Sequence, residues 1–123
     1  MYHVMVNRER VDLENWIAQL RKGALEFAVM LLLQDGKKYG LELVQTLEKI
    51  PGLIVTEGTI YPLLNRLKDE GWLTTEWVES NAGPPRKYYR LTPQGRQRLE
   101  AMIQHWQEFS SSLNDLIESK VRV

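Results

Sequence analysis

From Asp12 onward the apolar residues fall into helical spacing. Leu13, Trp16, Ile17 and Leu20 follow i, i+3, i+4, i+7, which is one face of a helix, with Asp12 placed to cap it. Gly23 is expected to interrupt that helix. Residues 24–34 are apolar on nearly every side, as a helix inside a small core would be, and Asp35-Gly36 ends it. Between residues 39 and 50, Leu43, Val44 and Leu47 share a face largely opposite Glu42, Gln45 and Glu48, and Pro51-Gly52 stops this second amphipathic helix. Leu53, Ile54 and Val55 are expected to form a brief extended piece before Thr56, whose hydroxyl suits a helix cap. The next helix gathers Ile60, Leu63, Leu64 and Leu67 on one face and leaves Tyr61, Asn65, Arg66 and Lys68 largely off it. Pro62 sits in its first turn if Thr59 is the cap, whereas a cap at Thr56 implies a distortion near Gly58.

After Gly71 the period changes to two. Residues 72–79 and 86–91 read as the strands of a hairpin, joined by a longer loop at Asn81-Ala82-Gly83-Pro84-Pro85. Tyr88 and Tyr89 alternate faces, so one belongs in the core, and Trp72 and Trp77 are expected to pack across the strands. Thr92-Pro93 opens a last, long helix. On it Leu99, Trp106 and Leu113 lie seven apart, as do Met102, Phe109 and Leu116, while Ile103 and Ile117 widen the stripe. A short preceding domain could not cover such a stripe. A second copy of the chain is its expected partner, with these eight residues as the dimer interface. Residues 1–10 show no clean period and are expected to be a tail that orders only against a partner.

The order of elements is that of a mainly α winged helix-turn-helix with a small β-hairpin and a C-terminal dimerisation helix. The boundaries expected are a partly helical extension over 1–19, the winged helix-turn-helix DNA-binding domain over 20–91 and the dimerisation helix over 92–123. In that architecture the third helix enters the major groove and the hairpin loop lies against phosphates. The side chains suit this. Arg66 and Lys68 can reach phosphates or guanine edges, Asn65 can pair with adenine, and Thr59 and Tyr61 can donate to phosphate oxygens. Thr56 at the helix start and Arg86 and Lys87 beside the hairpin loop complete the expected DNA-binding set.

Composition narrows the alternatives. A chain of 123 residues, 43% hydrophobic and 26% charged, is the size and make-up of one packed domain. It has no cysteine, so disulfides, thiolate metal sites and thiol nucleophiles are excluded. His3 and His105 are its only histidines and are not at ligand spacing. No pairing of nucleophile and base and no glycine-rich phosphate loop is visible, so neither an enzyme nor a bound cofactor or metal is expected. The longest apolar run, residues 27–33, is far short of the roughly 20 residues of a membrane span. Nothing at the N-terminus resembles a secretory leader, and a cytoplasmic protein is expected. The formal net charge is zero, but between Gly36 and Arg98 ten Lys/Arg stand against seven Asp/Glu, a mild local excess of positive charge.

The segment Gly58-Thr59-Ile60-Tyr61-Pro62-Leu63-Leu64-Asn65-Arg66-Leu67, followed by Glu70-Gly71, resembles the recognition-helix signature of the PadR family of bacterial transcription regulators. Arg86-Lys87-Tyr88-Tyr89-Arg90-Leu91-Thr92 with Gly95 is similar to that family's wing and the start of its last helix. Gly23-Ala24-Leu25-Glu26 and Tyr39-Gly40 match its first two helices, so the resemblance covers roughly residues 20–109. It implies a homodimeric repressor on a palindromic operator, released by a small, commonly aromatic ligand. The short C-terminal helix resembles the smaller subgroup, which includes a lactococcal multidrug-responsive regulator. There a tryptophan on the last helix lines a flat pocket between the two copies, and Trp106 stands at the matching position. The resemblance thus implies a ligand site of Trp106, Met102 and Phe109, with Trp16 added by the N-terminal extension. Zero net charge keeps a second reading open, a winged-helix module that docks a protein and reads no DNA.

Overall fold

The computed structural model describes the backbone of residues 2–119 and the side chains of residues 13–119. The first helix, α1 (Tyr2–Leu32), is continuous. It runs through the expected tail and through Gly23, where an added Cβ would meet nothing within 4 Å. A glycine there costs about 1 kcal/mol of helix propensity, too little to break a helix whose C-terminal half is held in the core. Asp12, expected to cap this helix, lies well inside it, because the helix already begins at Tyr2. Leu25, Val29 and Met30 of α1 and Leu33 just after it are buried.

A two-residue strand, β1 (Lys38–Tyr39), leads directly into α2 (Gly40–Glu48), whose first turn is closed by the Tyr39 N–H donating to the Glu42 carboxylate at 3.2 Å. Leu43, Val44 and Leu47 turn inward as their spacing requires. The extended piece expected at 53–55 forms no strand: Leu53 ends a turn, and Ile54 and Val55 are irregular. Leu53 and Val55 are buried, and Ile54 between them is exposed with φ at 40°. Next come α3 (Glu57–Asp69), β2 (Leu73–Ser80), β3 (Gly83–Leu91) and α4 (Pro93–Ser119). The last four residues of the expected dimerisation helix, 120–123, lie outside the described residues.

Thr56 is the N-cap residue of α3, its carbonyl accepting from the N–H groups of Thr59 and Ile60, but its hydroxyl makes no capping hydrogen bond and lies instead beside the Thr59 hydroxyl. Pro62 is accommodated inside the helix, past its first turn. Gly71 ends α3 at φ 88°: its N–H reaches the Lys68 carbonyl and that of Trp72 reaches the Leu67 carbonyl, the paired closure of a Schellman turn. The same turn fixes the start of α4. The Thr92 hydroxyl donates to the Gly71 carbonyl at 2.6 Å and accepts from the Gly95 N–H at 2.9 Å. Gly95 packs directly on the Trp72 carbonyl, leaving no room for a side chain.

The sheet order is β1-β3-β2, antiparallel throughout. The hairpin is tighter than its composition suggests. Only Asn81 and Ala82 lie between the strands, and Pro84 and Pro85 enter β3 where the register between Val78 and Ser80 is irregular. That is where a missing N–H is tolerated. Tyr89 faces the core and Tyr88 the opposite side, where its ring meets Tyr39 edge-on at 5.6 Å. Trp77 does not pack across the strands as expected: it stands opposite Lys87, largely exposed. Trp72 precedes β2 and lies under the Arg98 guanidinium at 4.7 Å. Among the described residues, sixteen buried apolar side chains form the core, drawn from every helix, from β2 and β3 and from the turns between them.

Candidate nucleic-acid interface

Pairing of β1 with β3 brings the start of α2 beside the wing, and the shared core brings α3 against both. The result is an open groove of about 470 Å³ lined by Tyr39, Gly40, Leu41, Tyr61, Asn65, Arg86, Lys87 and Tyr89. Four of the eight residues expected to contact DNA, Tyr61, Asn65, Arg86 and Lys87, meet there. Arg86 rests on the Tyr39 ring at 4.6 Å, and the Lys87 ammonium lies 5.6 Å from the Tyr89 ring centre. Neither forms an ion pair among the described residues. Their charges are held in place by aromatic faces and remain unneutralised. Gly40 and Leu41, the first two residues of α2, line the same groove.

Tyr61 is positioned by Gly40. A Cβ at Gly40 would stand 2.5 Å from Tyr61 Cε1, so glycine is what lets the edge of the ring come this close to the start of α2. Burial, and then the nearby Glu57 carboxylate, push the Tyr61 hydroxyl above its ordinary pKa of 10.0, so it remains a neutral donor at physiological pH. Thr56 and Thr59 are exposed at the N-terminal end of α3, their hydroxyls 3.2 Å apart, and Lys68 is exposed near its other end. Arg66 turns away from the groove. Its guanidinium binds the Glu70 carboxylate at 2.7 Å and that of Glu26 on α1 at 2.9 Å. Sequence reasoning did not place Tyr39, Gly40, Leu41 or Tyr89 in this site. The Tyr39-Gly40 motif was the available signal, but only β1 pairing shows what it faces.

A second groove, also about 470 Å³, runs between α1 and α4 and is lined by Leu20, Gly23, Ala24, Phe27, Met102, His105, Trp106 and Phe109. Phe27 and Trp106 form its floor, their rings 5.9 Å apart and tilted by 50°. Met102, Trp106 and Phe109, the residues of the ligand site that the resemblance implies, all line this groove within one chain. Trp16 is exposed but does not line the groove, which extends along α1 only as far as Leu20. Among the residues expected in a dimer interface, Leu99 is a correction: only 3% exposed, it is spent in the core of its own protomer. Met102 and Ile103 are half-buried against that core, while Trp106, Phe109, Leu113, Leu116 and Ile117 are exposed.

The model of the Transcriptional regulator PadR-like family matches residues 29–101. A PadR-like transcription factor from Bacteroides fragilis is similar at 46% identity and a TM-score of 0.69, over 83% of this chain and 98% of that one. A PadR-like regulator from Bacillus cereus is 37% identical at a TM-score of 0.74, over 80% and 96% of the two chains. The structure of Bacillus subtilis PadR in complex with operator DNA matches at 28% identity and a TM-score of 0.59, over 65% of this chain and 45% of that one. With a family match across most of the winged domain, and relatives matched over nearly their whole length, the chain belongs to the PadR-like family of transcriptional regulators.

Proposed function

We propose that this protein is a homodimeric repressor that binds palindromic operator DNA and is released by a small aromatic ligand. The observation that carries the DNA reading is the convergence of Tyr61, Asn65, Arg86 and Lys87 on one groove between α3 and the wing. The N-terminal turns of α3, with Thr56 and Thr59, enter the major groove; Asn65 and Tyr61 face base edges and phosphate. Arg86 and Lys87 hold the backbone alongside, with Lys68 a peripheral phosphate contact. The operator-bound relative from Bacillus subtilis supports this arrangement.

The dimer reading rests on α4. Of its 27 residues only Gly95 and Leu99 are buried, and its outer half exposes Phe109, Leu113, Leu116 and Ile117. A second copy covers this face and places two recognition helices about 34–36 Å apart, one turn of DNA. The groove between α1 and α4 has the volume and apolar lining of a small-molecule site, and the Phe27 and Trp106 rings offer a flat ligand a stacking surface. Such a ligand releases DNA only if it binds the DNA-incompetent dimer more tightly.

The deciding experiment is to incubate the protein with fragmented bacterial genomic DNA at moderate salt and sequence what it retains. Enrichment of a palindrome is expected. Its affinity should fall as salt rises, and Arg86→Ala should reduce the slope of log affinity against log salt by about 0.9, the share of one phosphate contact. Zero net charge favours one other outcome, a protein-docking module. No enriched motif, with partner binding that is insensitive to salt, would establish that alternative.

A further inference from the structure

Five side chains close a circuit behind the recognition helix. The Glu26 carboxylate on α1, whose side chain is 16% exposed, receives Arg66 of α3 at 2.9 Å and Arg98 of α4 at 3.3 Å. Arg66 also binds Glu70 at 2.7 Å, Glu70 accepts from the Trp72 indole N–H at 2.9 Å, and the Trp72 ring carries the Arg98 guanidinium at 4.7 Å. Three helices and the turn after α3 are thereby tied to one largely buried acidic group.

Two features separate this from an ordinary surface ion pair. Both oxygens of Glu26 are used, one by each arginine, so neither arginine can swing away without leaving the other to hold a half-buried carboxylate alone. Arg66 is spread in the forked geometry that only a guanidinium supplies, one terminal nitrogen to each carboxylate. Its side chain is half exposed, but its charge is already paired with two carboxylates of the protein, in contrast to Arg86 and Lys87. The same turns of α1 and α4 carry Phe27 and Met102, which line the apolar groove.

We infer that Arg66 is a positioning residue: through Glu26 it sets the orientation of α3 against α1 and α4, and it does not touch DNA. This rests on the operator-binding reading for its consequence, though not for the tie itself. Arg66→Ala and Glu26→Gln should each weaken binding of the selected operator by about tenfold, and the double variant should be no worse than either single one, because both remove the same tie. In all three the salt slope should stay at the wild-type value, since no phosphate contact is lost. Arg66→Lys should behave like Arg66→Ala, because an ammonium reaches a phosphate as well as a guanidinium does but cannot hold two carboxylates at once. Affinities are to be compared at a temperature where circular dichroism shows each variant fully folded.

Unchanged operator affinity in Glu26→Gln, alongside a loss in Arg66→Ala, would overturn the inference and make Arg66 a DNA contact. The tie is also read without DNA: amide exchange across α3 should speed up alike in Glu26→Gln and Arg66→Ala. Unchanged exchange in Glu26→Gln would overturn the inference even if the wild-type protein bound no DNA, a result that by itself would count only against the operator reading.

Discussion

Two glycines show how single positions divide between fold and function. Gly95 packs on the Trp72 carbonyl, a backbone atom held by the turn that joins α3 to β2, so the strain of an added methyl must be taken up by the start of α4. Gly40 faces the ring edge of Tyr61, a side chain that can rotate away. Gly95→Ala is therefore expected to destabilise the fold by about 3 kcal/mol, at the upper end for overpacking, with operator affinity unchanged in the molecules that remain folded. Gly40→Ala is expected to cost about 1 kcal/mol of stability but to lower operator affinity several-fold by displacing Tyr61. Thermal melts and operator titrations of the two variants check this, and equal losses of stability would contradict it. Arg66 shows where single-residue reasoning ends. Its position next to Leu67 leaves the helix face right but the side-chain direction open, and the direction is set by Glu26, forty residues away in sequence.

At the scale of elements, what could be read from sequence followed the strength of the period. The apolar stripes of α2, α3 and α4 and the alternation of the hairpin each repeat several times, and each element formed where its pattern stood. The two-residue strand β1 has no room for a pattern; it exists because the edge of β3 offers Tyr88 and Tyr89 as partners. Gly23 and Ile54 mislead for a related reason, because local propensities of about 1 kcal/mol are outweighed by the burial of their neighbours. The turn ending α3 carries a testable charge effect. Hydrogen bonds from Arg66, and then from the Trp72 indole, hold the Glu70 carboxyl below its ordinary pKa of 4.5. A depressed folded value means that ionised Glu70 stabilises the fold fully above pH 4.5, and that this contribution is lost as pH falls through the folded value. Wild type should melt above Glu70→Gln near neutral pH, and the two should converge in acid. A gap that persisted undiminished into acid would show that packing, and not charge, is what Glu70 provides.

At the scale of the molecule, the difficulty is to grip DNA with little charge. The chain has zero formal net charge, and one groove presents two arginine or lysine side chains. Long-range attraction is therefore weak, and affinity depends on presenting the same small site twice in fixed register. The long helices supply that register. At 27 residues α4 spans about 40 Å, and only Gly95 and Leu99, in its first two turns, are buried in the protomer. Linking two half-site contacts raises overall affinity by about a hundredfold or more over one, provided both sites can be engaged together. Phe109 is 62% exposed on the outer face of α4, away from the core and from the groove beside α2. Phe109→Glu should leave each winged domain folded, because that side chain supports nothing in its own core, yet place a charge where the second copy must pack. Light scattering at micromolar concentration should then report a monomer where wild type is a dimer. Operator affinity should drop about a hundredfold, while affinity for a single half-site changes little. A variant that remained dimeric with full operator affinity would move the dimer contact off α4. The apolar residues Leu13, Trp16 and Leu20 on α1 would then be the face to test next.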